Sequence, residues 1–166
     1  MIKVGIIGGA GYTAGELIRL LLNHPEAEIV FVNSSSNAGN KITDVHEGLY
    51  GETDLTFTDE LPLDEIDVLF FCTAHGDTRK FMESHNVPED LKIIDLSMDY
   101  RIKSDDHDFI YGLPELNRRC HLHGKACCQP RLLRHLHPVG PASACQASDA
   151  ERRYYGECHH RQHGRG

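Results

Sequence analysis

The sequence predicts an α/β fold, a Rossmann-like and doubly wound parallel sheet, for residues 1–119 of the 166-residue chain. Three observations predict it. Apolar β-branched runs alternate with helical patterns, a glycine-rich turn joins the first run to the first helix, and no internal repeat is present. Strands that alternate with helices form βαβ units, whose right-handed crossovers produce a parallel sheet.

The predicted elements follow in order along the chain. Ile2–Ile7 is a mostly apolar run that is typical of a strand covered on both faces. The first helix is predicted to place Leu17, Leu20 and Leu21 on one face. It should end before Pro25, which disfavours helix in the preceding residue. Later strands are predicted at residues 28–32, 67–72 and 92–96, and a helix at residues 77–84.

Composition and charge exclude several classes of protein. The chain has 17 basic and 25 acidic residues, and its net charge of −8 argues against nucleic acid as the main partner. No apolar run is long enough to span a membrane, and the apolar start is too short for a signal peptide. We therefore expect a cytoplasmic protein without a membrane partner.

The glycine-rich turn predicts a site for the pyrophosphate of a dinucleotide. Gly8 and Gly11 allow close approach of the backbone, and the helix that follows offers free N–H groups and its positive dipole end. The spacing is G-x-x-G-x-x-A rather than the G-x-G-x-x-G of NAD dehydrogenases. The alternative is a tight strand–helix turn without a ligand, which the preceding buried strand makes less favourable.

The end of the second predicted strand favours NADP over NAD. NAD-binding proteins need a carboxylate there to bind the ribose hydroxyls, but residues 33–36 are Asn-Ser-Ser-Ser, which are neutral and rich in hydroxyl groups. The alternative is an ordinary polar loop, because no Arg or Lys stands nearby to bind a 2′-phosphate.

Cys72 and His75 lie where a buried strand ends, at the edge where doubly wound sheets bind ligands. They could form a Cys–His nucleophile pair. However, Cys72 belongs to an apolar run, and a free cysteine in such a run is usually a small core residue. We therefore interpret Cys72 as structural and expect His75 to shape the loop beside the cofactor.

Arg101 follows the next strand and should lie at the mouth of the same cleft. Its guanidinium is suited to bidentate binding of a phosphate. The alternative is a surface ion pair with Asp99, Asp105 or Asp106.

Four segments together carry a resemblance to a known family. They are residues 8–17 (GGAGYTAGEL), 74–76 (AHG), 95–101 (DLSMDYR) and 111–118 (YGLPELNR). Over residues 1–119 the chain resembles the N-acetyl-γ-glutamyl-phosphate reductases of arginine biosynthesis, relatives of the aspartate-semialdehyde dehydrogenases.

The resemblance implies an NADPH-dependent reduction of N-acetyl-L-glutamyl 5-phosphate to the 5-semialdehyde and phosphate, through a cysteine thioester. This small-molecule substrate is the implied partner, and the family tends to form homo-oligomers. The resemblance assigns binding of the cofactor pyrophosphate to Gly8, Ala10, Gly11, Tyr12, Thr13 and Ala14. It assigns the adenosine phosphate end to Ser34 and Ser36, and the substrate phosphate to Arg101.

Residues 120–166 depart from the family pattern. Where the family has Asn-Pro-Gly-Cys with the nucleophilic cysteine, residues 129–132 are Gln-Pro-Arg-Leu, so no catalytic residue is assigned and no turnover is expected. If the last two bases of each codon are read with the first base of the next codon, residues 129–133 can spell Asn-Pro-Gly-Cys. We therefore hypothesise that the chain from about residue 120 is translated out of frame, and we expect this tail to be disordered because it has few branched apolar residues.

The tail also supports an alternative function, a nucleotide-binding module without catalysis whose tail binds metal or a partner. Its cysteines and histidines could form a zinc cluster, but no C-x₂-C pair is present, and we expect no metal site. The residues of that cluster would be Cys127, Cys128, Cys145, Cys158, His159, His160 and His163.

Overall fold

A computed structural model describes residues 1–101, 105–112 and 124–128 of the chain. Its strands are β1 (Ile2–Ile7), β2 (Ala27–Asn33), β3 (Phe57–Thr58), β4 (Val68–Phe71), β5 (Lys92–Asp95), β6 (Ile110–Tyr111) and β7 (Ala126–Cys128). Its α-helices are α1 (Tyr12–Leu22), α2 (Ile42–Val45) and α3 (Asp77–Ser84), with 3₁₀ turns at Glu47–Leu49 and Leu63–Glu65. None of the described helices is both long and apolar enough to cross a membrane.

The strands form one seven-stranded sheet in the order β3-β2-β1-β4-β5-β7-β6, and every strand pair in it is parallel. The chain builds outward from β1 through β2 to β3, and then returns to the other side of β1 to form β4. This reversal of strand order lies between β1 and β4, where doubly wound sheets bind ligands beyond the carboxyl ends of the strands. The predicted Rossmann-like fold is confirmed.

Alternate residues of the strands bury two apolar clusters, one on each face of the sheet. Val4 and Ile6 of β1 pack with Ala14 and Ile18 of α1 on one face. Leu69 and Phe71 of β4 lie in the other cluster, where side chains of α3 pack against them. Because both faces are covered, the strands are mostly apolar, as the sequence pattern predicted.

The apolar face of α1 differs from the predicted one. Leu20 is 60% exposed, whereas Ala14 and Ile18 are fully buried and Leu17 and Leu21 are half-buried beside them. The prediction that Leu20 shares the buried face is therefore wrong. The buried face is instead centred on Ala14 and Ile18, which lie about one turn apart.

Three short strands, β3, β6 and β7, were not predicted. β7 lies within the segment expected to be disordered, yet the amide of Ile93 donates to the carbonyl of Lys125, and Cys128 is fully buried. Strand pairing uses backbone groups and needs no particular side chain, so these three residues complete the sheet despite their atypical composition. The rest of that segment, from residue 129 onward, lies outside the described residues.

Candidate functional site

The carboxyl ends of β1, β2, β4 and β5 bring the predicted site segments to one edge of the sheet. Each strand runs there into one of them: the glycine turn after Ile7, the serine run after Asn33, the Cys72 segment after Phe71, and the Asp95 segment. Parallel pairing makes this convergence unavoidable, because all the strands end on the same side. The sequence motifs are therefore neighbours in space.

The glycine turn is shaped by close contact with β4. Gly8 has a φ of +78°, and a Cβ atom placed on it would lie 2.8 Å from the carbonyl oxygen of Cys72. That space is closed by main chain, so a side chain at this position has no room. The amide of Gly11 donates to the carbonyl of Gly8 at 3.3 Å, which closes the turn in front of α1.

The N-terminus of α1 is free of side-chain caps. Gly11 occupies the N-cap position with extended backbone, no side chain bonds to the cap, and the first turn has no acidic residue. The first amides of a helix have no acceptor within the helix, so those of Tyr12, Thr13 and Ala14 are available to an anion. Tyr12 and Thr13 are exposed, while the Ala14 side chain is buried beneath the turn.

The serine run after β2 is organised by Asn37, which the sequence analysis did not single out. Its amide nitrogen donates to the Ser34 hydroxyl oxygen at 3.2 Å and to the Ser36 hydroxyl oxygen at 3.0 Å. Ser34 is buried and Ser36 is exposed. Both hydroxyls accept from Asn37, and their oxygens lie 3.5 Å apart, so one hydroxyl can donate to the other while the second hydrogen remains available to an anionic acceptor. An Asn three residues after a Ser in a turn was the available signal.

Cys72 does not have the properties of a nucleophile. Burial, with a smaller contribution from the charge of Asp95, raises the pKa of its thiol to about 12. A thiol with this pKa is protonated at neutral pH, and the thiolate is the nucleophilic form. His75 is exposed. These properties favour the structural interpretation of Cys72.

Asp95 forms a buried polar network at the end of β5. One carboxylate oxygen accepts from the Ser97 amide at 2.9 Å and from the Thr78 hydroxyl at 3.1 Å, and the other accepts from the Ser97 hydroxyl at 2.8 Å. Burial raises the pKa of the Asp95 carboxyl, and the hydrogen bonds from Ser97 and Thr78 oppose that rise. The network joins β5 to the start of α3.

Asp95→Asn should therefore gain stability relative to the wild type as pH rises. The pKa of Asp95 is higher in the folded state than in the unfolded state, so the folded chain holds the proton more tightly. The stability that protonation of Asp95 contributes is fully present below the pKa of the unfolded state. It is lost as the pH rises through the pKa of the folded state. Asparagine does not titrate. Urea unfolding of both proteins from acid to neutral pH measures the difference, and a difference that is constant or reversed would contradict the expectation.

Arg101 lies at the same edge with an unsatisfied nitrogen. Its Nη2 donates to the Leu96 carbonyl at 3.3 Å, while its buried Nε has no hydrogen-bond partner among the described residues. None of the salt bridges between described residues includes Arg101. Asp99, one of its predicted alternative partners, instead accepts from the amides of Gly76 at 2.6 Å and Arg79 at 3.1 Å and so caps α3.

Asp99 and His46 are two further residues that sequence reasoning missed. Asp99 ties the loop after β5 to the turn at His75 and Gly76. His46 contacts the glycine turn from 37 residues away, with its Nε2 atom 2.7 Å from the Gly9 carbonyl oxygen. No local sequence signal marks such long-range contacts. Within the described residues no group of three or more His, Cys, Asp or Glu side chains could hold a metal ion.

Comparison with known proteins agrees with this geometry. The family described as "Semialdehyde dehydrogenase, NAD binding domain" matches residues 3–123. N-acetyl-gamma-glutamyl-phosphate reductase of Phocaeicola vulgatus is 86% identical over 130 residues, and that of Bacteroides thetaiotaomicron is 87% identical over 130 residues. Both matches cover 78% of this chain and 40% of the relative, so the chain spans about two fifths of the length of these curated relatives.

Solved structures show the same fold. Aspartate semialdehyde dehydrogenase with NADP from Candida albicans has a TM-score of 0.57 at 24% identity, and covers 78% of this chain and 42% of its own. Aspartate semialdehyde dehydrogenase II from Vibrio cholerae has a TM-score of 0.58 at 16% identity, and the match covers 79% of this chain and 42% of the Vibrio cholerae chain. The predicted resemblance to the N-acetyl-γ-glutamyl-phosphate reductases is confirmed, and the chain belongs to the semialdehyde dehydrogenase family through its NAD-binding domain.

Proposed function

We propose that this chain binds NADPH as the cofactor-binding part of an N-acetyl-γ-glutamyl-phosphate reductase. The complete enzyme would reduce N-acetyl-L-glutamyl 5-phosphate to N-acetyl-L-glutamate 5-semialdehyde and phosphate in arginine biosynthesis. The observation that carries the proposal is the uncapped N-terminus of α1 beside Gly8, at the point where the strand order reverses. A second candidate function is not needed to account for this geometry.

The residues at the glycine turn fit a pyrophosphate. Within the described part of the chain the amides of the first turn of α1 have no side-chain cap, and Gly8 has no side chain between its backbone and that of Cys72. In the proposal these residues bind and orient the cofactor, which supplies a hydride when bound. The pyrophosphate would contact Gly8, Ala10, Gly11, Tyr12, Thr13 and Ala14.

Ser34 and Ser36 would bind the 2′-phosphate that distinguishes NADP from NAD. Asn37 donates to both hydroxyl oxygens, and a bound phosphate would replace the 3.5 Å contact between them, so that both O–H groups donate to it and no carboxylate opposes it. Neutral donors do not repel a phosphate, whereas the carboxylate of NAD-binding proteins would. This arrangement supports NADP as the cofactor.

Replacing both serines, Ser34→Ala with Ser36→Ala, is expected to raise the Kd for NADPH about tenfold, since two hydrogen bonds to a charged group are lost. The Kd for NADH, which lacks the 2′-phosphate, should not change. Fluorescence titration of the full 166-residue chain with each nucleotide measures both constants. Ser35→Ala is the matched control, because Ser35 is exposed and adjacent. If the wild type does not bind NADPH, the proposed function is wrong.

Arg101 would bind the phosphate of the substrate. The support is its position at the carboxyl end of β5 and its Nε, which is buried without an acceptor. A buried unpaired donor carries a desolvation cost that an anionic ligand would remove. Asp99 holds the loop on which Arg101 lies through its bonds to the α3 amides.

The 166 residues as they stand are proposed to bind the cofactor without turnover. Residues 129–132 contain no cysteine, and the thioester chemistry needs a thiolate. We propose that a frameshift near residue 120 replaces Asn-Pro-Gly-Cys by Gln-Pro-Arg-Leu. Sequencing the gene across this region tests the idea, and codons that cannot spell Asn-Pro-Gly-Cys in the shifted frame would end it.

The location and assembly of the protein are also proposals. A reductase of amino-acid biosynthesis would act in the cytoplasm, and the family resemblance implies a homo-oligomer. Cell fractionation tests the cytoplasmic location, and light scattering of the purified chain tests the oligomeric state. Recovery with membranes, or a monomer at all concentrations, would contradict them.

A further inference from the structure

His46 contacts the glycine turn from a distant part of the chain. It lies between α2 and the 3₁₀ turn Glu47–Leu49, and its Nε2 atom is 2.7 Å from the carbonyl oxygen of Gly9. A carbonyl oxygen only accepts, so Nε2 carries the proton and donates. The ring is half-buried, with its centroid 6.2 Å from that of Phe57.

The first turn of α1 leaves space for this ring. A Cβ atom on Gly15 would lie 2.6 Å from Nδ1 of His46, which is closer than two such atoms can approach. Glycine costs about 1 kcal/mol relative to alanine inside a helix. The close approach of His46 accounts for a glycine at a helical position that otherwise favours alanine.

The contact fixes the orientation of a peptide group in the turn. The C=O of Gly9 and the N–H of Ala10 belong to one planar trans peptide and point in opposite directions. The preceding peptide is also held, since the Gly9 amide donates to the Asn33 carbonyl at 2.8 Å. His46 and β2 therefore hold two consecutive peptide planes from opposite ends of Gly9.

We propose that His46 is a positioning residue for the dinucleotide: by donating to the Gly9 carbonyl it orients the Ala10 amide for the pyrophosphate, and Gly15 is the space that admits it. This inference rests on the proposed function, in which the glycine turn binds NADPH. His46 acts through the turn and needs no contact with the cofactor.

Titration of the 166-residue chain with NADPH tests the role of His46. His46→Ala should raise the Kd about tenfold, because a hydrogen bond that preorganises the turn is lost. His46→Gln should stay within about threefold of the wild type, since the amide nitrogen of glutamine can replace Nε2 as donor. His24→Ala, at the opposite end of α1, is the control and should leave the Kd unchanged. Equal Kd values for the wild type and His46→Ala would overturn the proposal.

A double-mutant cycle with Gly15 tests the mechanism. Gly15→Ala should raise the Kd about tenfold in the wild type, because the new methyl group displaces the ring. In the His46→Ala background the same change should alter the Kd by less than about twofold. Additive effects would show that Gly15 acts independently of His46, and would overturn the proposed contact.

Hydrogen exchange of the free protein separates this inference from the proposed function. The hydrogen-bonded amides of Gly9 and Gly11 should exchange about tenfold faster in His46→Ala, and at the wild-type rate in His46→Gln. Failure of the wild type to bind NADPH would refute the proposed function while these rates still report the contact. Unchanged rates in His46→Ala would refute the role of His46 whether or not NADPH binds.

Discussion

Gly8→Ala is expected to raise the Kd for NADPH by about 100-fold or more and to lower the free energy of unfolding by about 2 kcal/mol or more. Two costs add at this residue. Its φ of +78° is unfavourable for alanine, and the new methyl group would lie 2.8 Å from the carbonyl oxygen of Cys72. That oxygen belongs to the main chain directly after β4, so it cannot move aside without displacing the glycine turn that we propose binds the pyrophosphate.

The control for this substitution is Gly51→Ala. Gly51 has a φ of +83°, but a Cβ atom on it would meet nothing within 4 Å. Gly51→Ala should therefore lower the free energy of unfolding by about 1 kcal/mol, through backbone strain alone, and leave the Kd for NADPH unchanged. Fluorescence titration and urea unfolding measure the two quantities. If Gly8→Ala binds NADPH as well as Gly51→Ala does, the turn is not the pyrophosphate site.

The largest loss of stability is expected for Phe71→Ala, at about 3–5 kcal/mol. Phe71 ends β4, is fully buried, and packs edge-to-face against Phe81 of α3 with ring centroids 5.1 Å apart. Removing the ring leaves a cavity in the cluster between the sheet and α3. Because domains of this size are stable by only about 5–15 kcal/mol, the variant should be close to unfolding at 37 °C.

Urea unfolding at constant pH measures this loss. Tyr50→Ala is the control, since Tyr50 is 87% exposed and its removal should change the free energy of unfolding by less than about 0.5 kcal/mol. A loss below about 1 kcal/mol for Phe71→Ala would mean that α3 does not close this face of the sheet in solution.

The strands and the glycine turn were predictable because their signals are local. An uninterrupted apolar run indicates a buried strand wherever it occurs, and the predicted helix at residues 77–84 coincides with α3. The apolar face of α1 was harder to predict. The helix begins at Tyr12, directly after the turn, and Leu20 lies outside the buried face although leucine is apolar.

The short strands were not predictable from composition. β3 and β6 have two residues each and β7 has three, too few to establish a pattern of alternating burial. Their place in the sheet depends on neighbouring strands that are distant in sequence. The Ala126–Cys128 strand shows this most clearly, because its composition predicts disorder and its pairing partner is β5.

By itself the sequence determined the class of fold and the edge of the sheet where the predicted site segments meet, and it predicted the residues of the glycine turn that we propose binds the pyrophosphate. These follow from periodicity, glycine spacing and the common direction of parallel strands. Only the tertiary structure decided what supports that turn: the Cys72 carbonyl against Gly8, the His46 ring against Gly9, and Asn37 between two serine hydroxyls. Contacts between segments far apart in the chain depend on how the elements pack, and no local pattern encodes that packing.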